Sequence, residues 1–189
     1  MNKGRVILEK ERFTLTLQRL CQELIENHTD FKNTCLIGLQ PRGIHLSDKL
    51  FQLLQQDRKV KSLRYGKLDI TFYRDDFRTR IKPIMANDTE IDFLVEGKKV
   101  ILVDDVLFSG RTIQAGLSAL QHYGRPESVE LLVLVDRRFN RHLPIQSDYQ
   151  GITVDALDEA YVKVAWSDKD NDDQVLLFAN KSLADKYKI

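Results

Sequence analysis

Two adjacent carboxylates, Asp104 and Asp105, close the apolar run Val100-Ile101-Leu102-Val103, and Phe108-Ser109-Gly110-Arg111-Thr112 follows a few residues later. Carboxylates at a strand end accept hydrogen bonds from a polyol, directly or through the water shell of a magnesium ion. If a helix begins near Thr112, the backbone N–H groups of Ser109 to Thr112 have no intrahelical acceptor, and the helix dipole adds partial positive charge there. A phosphate fits that place. Gly110 lets the backbone come close and adopt a positive φ, while Ser109 and Thr112 can cap the helix or donate to phosphate oxygens. Polyol acceptors followed by an anion cradle point to a sugar that carries phosphate. On a regular strand the two aspartates point to opposite faces, so both reach one ligand only if the chain is already leaving the strand.

Rival motifs fail on spacing. A Walker A loop needs a glycine where Asp105 stands and a lysine where Arg111 stands. No dinucleotide fingerprint is present, and no phosphate loop accompanies the acidic strand end as a Walker B strand would require. The bland alternative is a buried strand whose carboxylates cap the next helix. Gln40-Pro41-Arg42-Gly43 offers a second strand-to-helix junction, which by itself reads as an ordinary turn with proline near the helix start. None of His28, His45, His122 and His142 has a metal-ligand partner at helical spacing. His28, near a helix end, reads as a surface residue.

The elements that must position these groups alternate. Val6-Ile7-Leu8 reads as a short strand, and Leu15, Leu17, Leu20, Leu24 and Ile25 mark an amphipathic helix over Lys10 to Asn27. Thr34 to Leu39 reads as a strand. Arg42-Gly43 then opens a helix whose core face is Ile44, Leu46, Leu50, Leu53 and Leu54. Ser62 to Tyr73 contains a strand with alternating character. Arg74 to Lys99 is polar and reads as a loop with part of a hairpin. Val100 to Val103 is apolar on both faces, as inside a parallel sheet. Thr112 to Tyr123 reads as a helix stopped by Gly124-Arg125-Pro126. Val129 to Val135, Val162 to Trp166 and Val175 to Phe178 are further strands, and Asp148-Tyr149-Gln150-Gly151 reads as a turn. This order predicts an α/β fold with a mostly parallel sheet and ligands at the carboxyl ends of its strands.

The chain has 189 residues and a net charge of +1, so bulk charge argues for neither nucleic acid nor an anionic membrane. Its length is usual for one domain. No apolar run is long enough to span a bilayer, and the charged N-terminus is unlike a signal peptide. Cys21 and Cys35 lack metal-ligand spacing and read as reduced core residues of a cytoplasmic protein.

Val100 to Thr112 resembles the phosphoribosyl pyrophosphate (PRPP) signature of type I phosphoribosyltransferases. Two further segments are similar to one branch, the bifunctional pyrimidine operon regulators and uracil phosphoribosyltransferases: Gly66 to Phe77, with Asp69-Ile70-Thr71, Tyr73-Arg74 and Asp75-Asp76, and Leu134-Val135-Asp136-Arg137 with His142-Leu143-Pro144-Ile145 and Asp148-Tyr149-Gln150-Gly151. The resemblance covers nearly the whole chain. It implies the type I phosphoribosyltransferase fold over residues 1–189, with a mobile loop over about 74–99 and a hood from about 137 to 189 that includes the N-terminal strand.

The resemblance also implies roles for individual residues. Asp104 and Asp105 would bind the ribose hydroxyls and, through PRPP or water, Mg2+. Phe108, Ser109, Gly110, Arg111 and Thr112 would cradle the 5′-phosphate. Gln40, Pro41, Arg42 and Gly43 would form the pyrophosphate loop. That loop often holds a cis peptide in the family, which leaves Gln40–Pro41 and Leu39–Gln40 open, with Pro41 where the branch usually has threonine. Arg74, with Arg78 or Arg80, would stabilise pyrophosphate beside Asp75 and Asp76; Asp69 reads as structural. Asp136, Arg137, Tyr149 and Gln150 would bind the base, with Tyr149 packing on it. The implied reaction converts uracil and PRPP to UMP and pyrophosphate, in a homodimer or larger homo-oligomer. After Gly151 the chain departs from the branch, with Ile152-Thr153-Val154-Asp155-Ala156-Leu157 where Lys-Asn-Ile-Pro-Thr-Ser is usual. A purine acceptor is therefore an alternative. So is an RNA-binding regulator using Lys3, Arg5, Arg19, Arg137, Arg138 and Arg141, which the low net charge does not favour.

Overall fold

The elements run β1 (Arg5–Leu8), α1 (Lys10–His28), β2 (Thr34–Gln40), α2 (Gly43–Leu54), β3 (Arg64–Asp69), β4 (Lys99–Leu107), α3 (Arg111–Leu120), β5 (Ser128–Arg138), β6 (Tyr149–Asp155), β7 (Tyr161–Ala165), β8 (Gln174–Phe178) and α4 (Lys181–Lys186). They come from a computed structural model that describes residues 4–57, 60–75, 86–139, 141–156, 159–170 and 172–186. Five strands form a parallel sheet in the order β3-β2-β4-β5-β6.

The central strands are apolar on both faces because both faces are covered. Leu36, Ile101, Val103, Leu132 and Leu134 pack with α1 and α2 residues such as Leu20, Leu24, Leu46 and Leu50. The alternate positions Ile37, Leu39, Val100, Leu102, Leu131 and Val133 pack with Ile113, Ala115, Ala119 and Leu120 of α3. Burying each such aliphatic side chain contributes roughly 1.5–3 kcal/mol, so the sheet's period of two is held by packing on both sides. β2 leads into a helix on one face and its neighbour β4 into a helix on the other. Their carboxyl ends therefore flank a topological switch point, where ligands bind in open α/β sheets.

β1, β8 and β7 form a separate antiparallel sheet, the hood. It docks on the start of α1 and α2: the Phe13 and Trp166 rings meet edge to face at 5.5 Å, and Lys49 pairs with Asp173 at 2.9 Å. No helix among the described residues is long and apolar enough to cross a membrane.

Several elements differ from the sequence-based expectation. β4 continues through Leu107 and β5 through Arg138, past the end of their apolar runs, because neighbouring strands keep pairing with them. Tyr149 to Gly151 is not a turn: it opens β6, whose backbone pairs with β5. The hood consequently starts beyond Asp155 rather than near residue 137. Within the expected loop, residues 76–85 lie outside the described residues, including Asp76, Arg78 and Arg80. Residues 86–98 are mostly exposed but anchored at points: Glu90 bridges to Lys67 on the edge of β3, and Phe93 and Val95 are buried. The Gln40–Pro41 bond is cis.

Gly43 fixes how close α2 stands to β4. A Cβ there would lie 2.3 Å from the Val103 carbonyl oxygen and 2.9 Å from Asp104 Cα, a clash with backbone that cannot swing aside. Gly43→Ala should therefore destabilise the protein by about 1–3 kcal/mol. Thermal unfolding checks this, and an unchanged melting temperature would contradict the close approach.

Candidate active site

The loop after β4 builds an anion cradle. Gly110 has φ 89°, the left-handed region that glycine tolerates, and serves as N-cap of α3. A side chain there would also press on Leu143 and Ile145, 3.4 and 3.3 Å away. Ser109 Oγ accepts from the Arg111 N–H at 3.4 Å, and the Ser109 carbonyl accepts from the His142 N–H at 3.0 Å. The segment from 141 onward thus braces the loop from outside. Asp104, Phe108, Ser109, Gly110, Arg111, Thr112 and, from the far side, Arg74 and Asp75 line a cavity of about 240 Å³. Arg111 pairs with Asp75 across it. Asp69 is a local brace, as expected, accepting from the Thr71 hydroxyl at 2.7 Å.

The two aspartates part company. Side chains alternate through Val103, but by Val106, which packs with the α1–α2 cluster, and Leu107, which packs with the α3 cluster, that alternation has broken. Asp104 lines the cavity, and Asp105, next to it, accepts from Arg42 Nε at 2.7 Å. Arg42 Nη2 also donates to the carbonyl of Val164 on β7, at 3.1 Å. The Arg42 side chain remains 47% exposed against 6% for Asp105, so its outer edge is open to a ligand. Gln40 is corrected too. Its side chain is buried and donates to the Asp88 carbonyl at 2.7 Å, bracing the chain that leads to β4.

At the end of β5, Asp136 and Arg137 are both buried. Asp136 accepts from Arg141 and from Ser147 Oγ. Arg137 lies under the Phe108 ring, 4.0 Å from its centroid. Gln150 shares a groove of about 560 Å³ with Asp136, Arg141 and Ser147.

Tyr149 does not join them. At the start of β6 it points to the α1 face, where its hydroxyl donates to Glu130 at 2.9 Å and accepts from Asn27 at 3.1 Å. Burial and then the Glu130 bond push its hydroxyl up to about 12. This is a core tyrosine with its polar tip satisfied. His28 is likewise corrected from surface to interior, with Nε2 3.0 Å from Glu130 and Nδ1 3.3 Å from the Thr34 hydroxyl.

Arg141, Ser147 and the Val164 carbonyl are site-forming groups that sequence reasoning missed. Arg141 belonged to a basic run weighed as an RNA contact and not favoured as one, and it bonds Asp136 and the Phe108 carbonyl. In the same run, Arg138 is held by Asp155.

Burial, then the charge of Asp105, holds the Asp104 carboxyl well above the usual carboxylate range, only partly offset by the Asp105 N–H and by Arg42 and Arg74. Asp104 Oδ1 accepts that N–H at 2.9 Å.

A parallel sheet with a ligand-sized cavity at its switch point is the architecture of a doubly wound α/β protein. The phosphoribosyl transferase domain family matches residues 6–169, and the chain belongs to it. Within that family its relatives are PyrR proteins. Those named Bifunctional protein PyrR include the one from Caldicellulosiruptor bescii, 40% identical over 94% of this chain and 96% of that protein. The one from Bacillus subtilis is 37% identical over 96% of this chain and 100% of that protein. In fold the chain is similar to the hypoxanthine phosphoribosyl transferase of Trypanosoma cruzi, with a TM-score of 0.73, 14% identity and coverage of 98% and 97% of the two chains.

A carboxyl whose folded-state pKa is raised binds more protons in the native state than in the unfolded chain, so stability falls as pH rises through that pKa. Asp104→Asn keeps the Oδ1 acceptor and removes the charge. It should raise the melting temperature at neutral pH, by about 2–4 °C for each kcal/mol gained. The difference should shrink as pH falls toward the ordinary carboxylate range. A variant that melts lower than the parent at neutral pH would show that the buried charge is not a cost.

Proposed function

We propose that the protein transfers the ribose-5-phosphate of PRPP to a pyrimidine base, uracil, giving UMP and pyrophosphate. The observation that carries this reading is the convergence of Asp104, the Phe108–Thr112 cradle and Arg74 on one cavity, with Arg42 bonded to the adjacent Asp105. The cradle's N–H groups would take the 5′-phosphate and Asp104 a ribose hydroxyl. As the base nitrogen bonds to ribose carbon 1, the bond from that carbon to pyrophosphate breaks, its electron pair leaves with pyrophosphate, and the proton of the base nitrogen passes to water or the released pyrophosphate. Arg42 and Arg74 would meet that charge, and the bound geometry supplies orientation. No side-chain nucleophile is needed.

The described residues contain no group of three or more His, Cys, Asp and Glu that could hold a metal. That donor set fits Mg2+ arriving on PRPP oxygens, with Asp104 as the carboxylate that faces it through water. Bound there, the ion would neutralise part of the pyrophosphate charge. Base reading is assigned to the Asp136–Arg137 end of β5 with Gln150. The buried thiols Cys21 and Cys35, both pushed up to about 12 by burial, suit a reducing compartment, and we place the protein in the cytoplasm.

The relatives' name, Bifunctional protein PyrR, points to a second activity. Regulation through RNA is the second reading, although Arg19, Arg138 and Arg141 are each engaged within the chain. The assay is pyrophosphate release from PRPP and Mg2+ with uracil, hypoxanthine, guanine or orotate. Turnover is expected with uracil; none with any base would overturn the reading, and turnover with purines alone would move the acceptor. A salt-dependent shift of a pyrimidine leader RNA would establish the second activity. Asp104→Asn should raise the KM for PRPP by about 10- to 100-fold, the cost of one charge-assisted hydrogen bond. An unchanged KM would remove Asp104 from the site.

A further inference from the structure

Between β5 and β6 the chain crosses the outside of the loop that follows β4, and residues 141–147 form a strap tied to it. The His142 and Leu143 N–H groups donate to the Ser109 carbonyl at 3.0 and 3.3 Å. Arg141 Nη1 donates to the Phe108 carbonyl, and its Nη2 donates to Asp136 Oδ1 at the end of β5. Ser147 Oγ donates to the second Asp136 oxygen at 3.1 Å. One guanidinium therefore bridges the first residue of the phosphate cradle to the strand end that carries Asp136. The bridge is largely shielded, the Arg141 side chain being 22% exposed and that of Asp136 11%. These bonds fall on carbonyls, but they also direct N–H groups. A peptide unit is planar, and in its trans form the C=O and N–H point opposite ways. The Phe108–Ser109 and Ser109–Gly110 peptides are trans. Holding the Phe108 carbonyl aims the Ser109 N–H away from the strap, and holding the Ser109 carbonyl does the same for the Gly110 N–H. Among the described residues, 108–113 line the cavity and none of 141–147 does. The two N–H groups are thereby left for an anion at the start of α3.

We propose that Arg141 is a positioning residue for the phosphate cradle: it holds the Phe108–Ser109 peptide so that the cradle's N–H groups face the 5′-phosphate. The inference rests on the phosphoribosyl-transfer reading and adds to it a residue that touches neither substrate. The charge of Arg141 is met by Asp136, so its effect on the phosphate runs through the peptide rather than through direct attraction. The 5′-phosphate does not react and is gripped alike in the ground and transition states. Loosening that grip therefore raises KM and leaves kcat nearly unchanged.

Ribose 5-phosphate probes the cradle, and inorganic pyrophosphate with Mg2+ probes the leaving-group end of the site. Calorimetric titration of the full chain should show Arg141→Gln weakening ribose 5-phosphate about tenfold while pyrophosphate binds as before. In turnover, the KM for PRPP should rise by a similar factor with kcat little changed. Asp136→Asn keeps an acceptor at the far end of the bridge but removes its charge. It should weaken ribose 5-phosphate, which carries no base, and should cost nothing further in the Arg141→Gln background. If the glutamine variant does not fold, Arg141→Lys, which reaches one end of the bridge at a time, carries the same reading. Unchanged ribose 5-phosphate binding, an equal loss toward both probes, or losses that add in the double variant would overturn the assignment of Arg141 alone. A parent protein that binds neither probe would overturn the phosphoribosyl-transfer reading together with it.

Discussion

The alternation of side chains along β4 is the constraint on which the site depends. Val100 and Leu102 belong to the α3 layer, Ile101 and Val103 to the α1–α2 layer, and every one of them is buried. A slip of one residue would turn each to the wrong layer, so the register is firmly held. Pairing with β5 continues to Leu107, yet past Val103 the faces stop alternating, since Val106 packs with the α1–α2 cluster and Leu107 with the α3 cluster. Asp104 lines the cavity after β4, and Asp105 meets Arg42 at the start of α2.

The hood depends on the same neighbourhood. Arg42 joins the main sheet to β7 through Asp105 and Val164. Further along α2, His45 lies 3.0 Å from Asp168, and Lys49 pairs with Asp173. Polar pairs of this kind, half-buried at the junction, contribute orientation more than stability. Together with the Phe13–Trp166 contact they set where the hood stands relative to the loop before α2. The apolar contacts supply adhesion and the polar ones supply register.

Buried polar groups divide into two kinds. His28, Thr34, Tyr149, Glu130 and Asn27 form a network whose members satisfy one another beneath the end of α1. It costs little to bury because its hydrogen bonds are made. Asp104 is different: burial and a like charge next to it hold its carboxyl above the usual carboxylate range, and it lines a cavity. A buried carboxyl with a raised pKa in a cavity is the kind of group found at functional sites.

The sequence alone carried the fold class and the phosphate cradle, because both are local. Apolar runs of strand length between amphipathic helices imply a covered parallel sheet, and Ser109-Gly110-Arg111-Thr112 names a helix start wherever it occurs. The family resemblance left a cis peptide open at Gln40–Pro41 or Leu39–Gln40, and the fold has it at Gln40–Pro41. The partners of the acid pair were not legible. They are set by how α2 and its loop stand against β4 rather than by the pair's own residues. Tyr149 was misassigned for the same reason, since only pairing with β5 makes residues 149–151 a strand and turns the ring toward α1. The basic run at 137–141 looked like free charge until the fold supplied Phe108, Asp155 and Asp136 as partners. Local backbone preference and hydrophobic period act within a few residues of the chain. Strand length and side-chain partnership are decided by elements that the chain reaches only after it has folded.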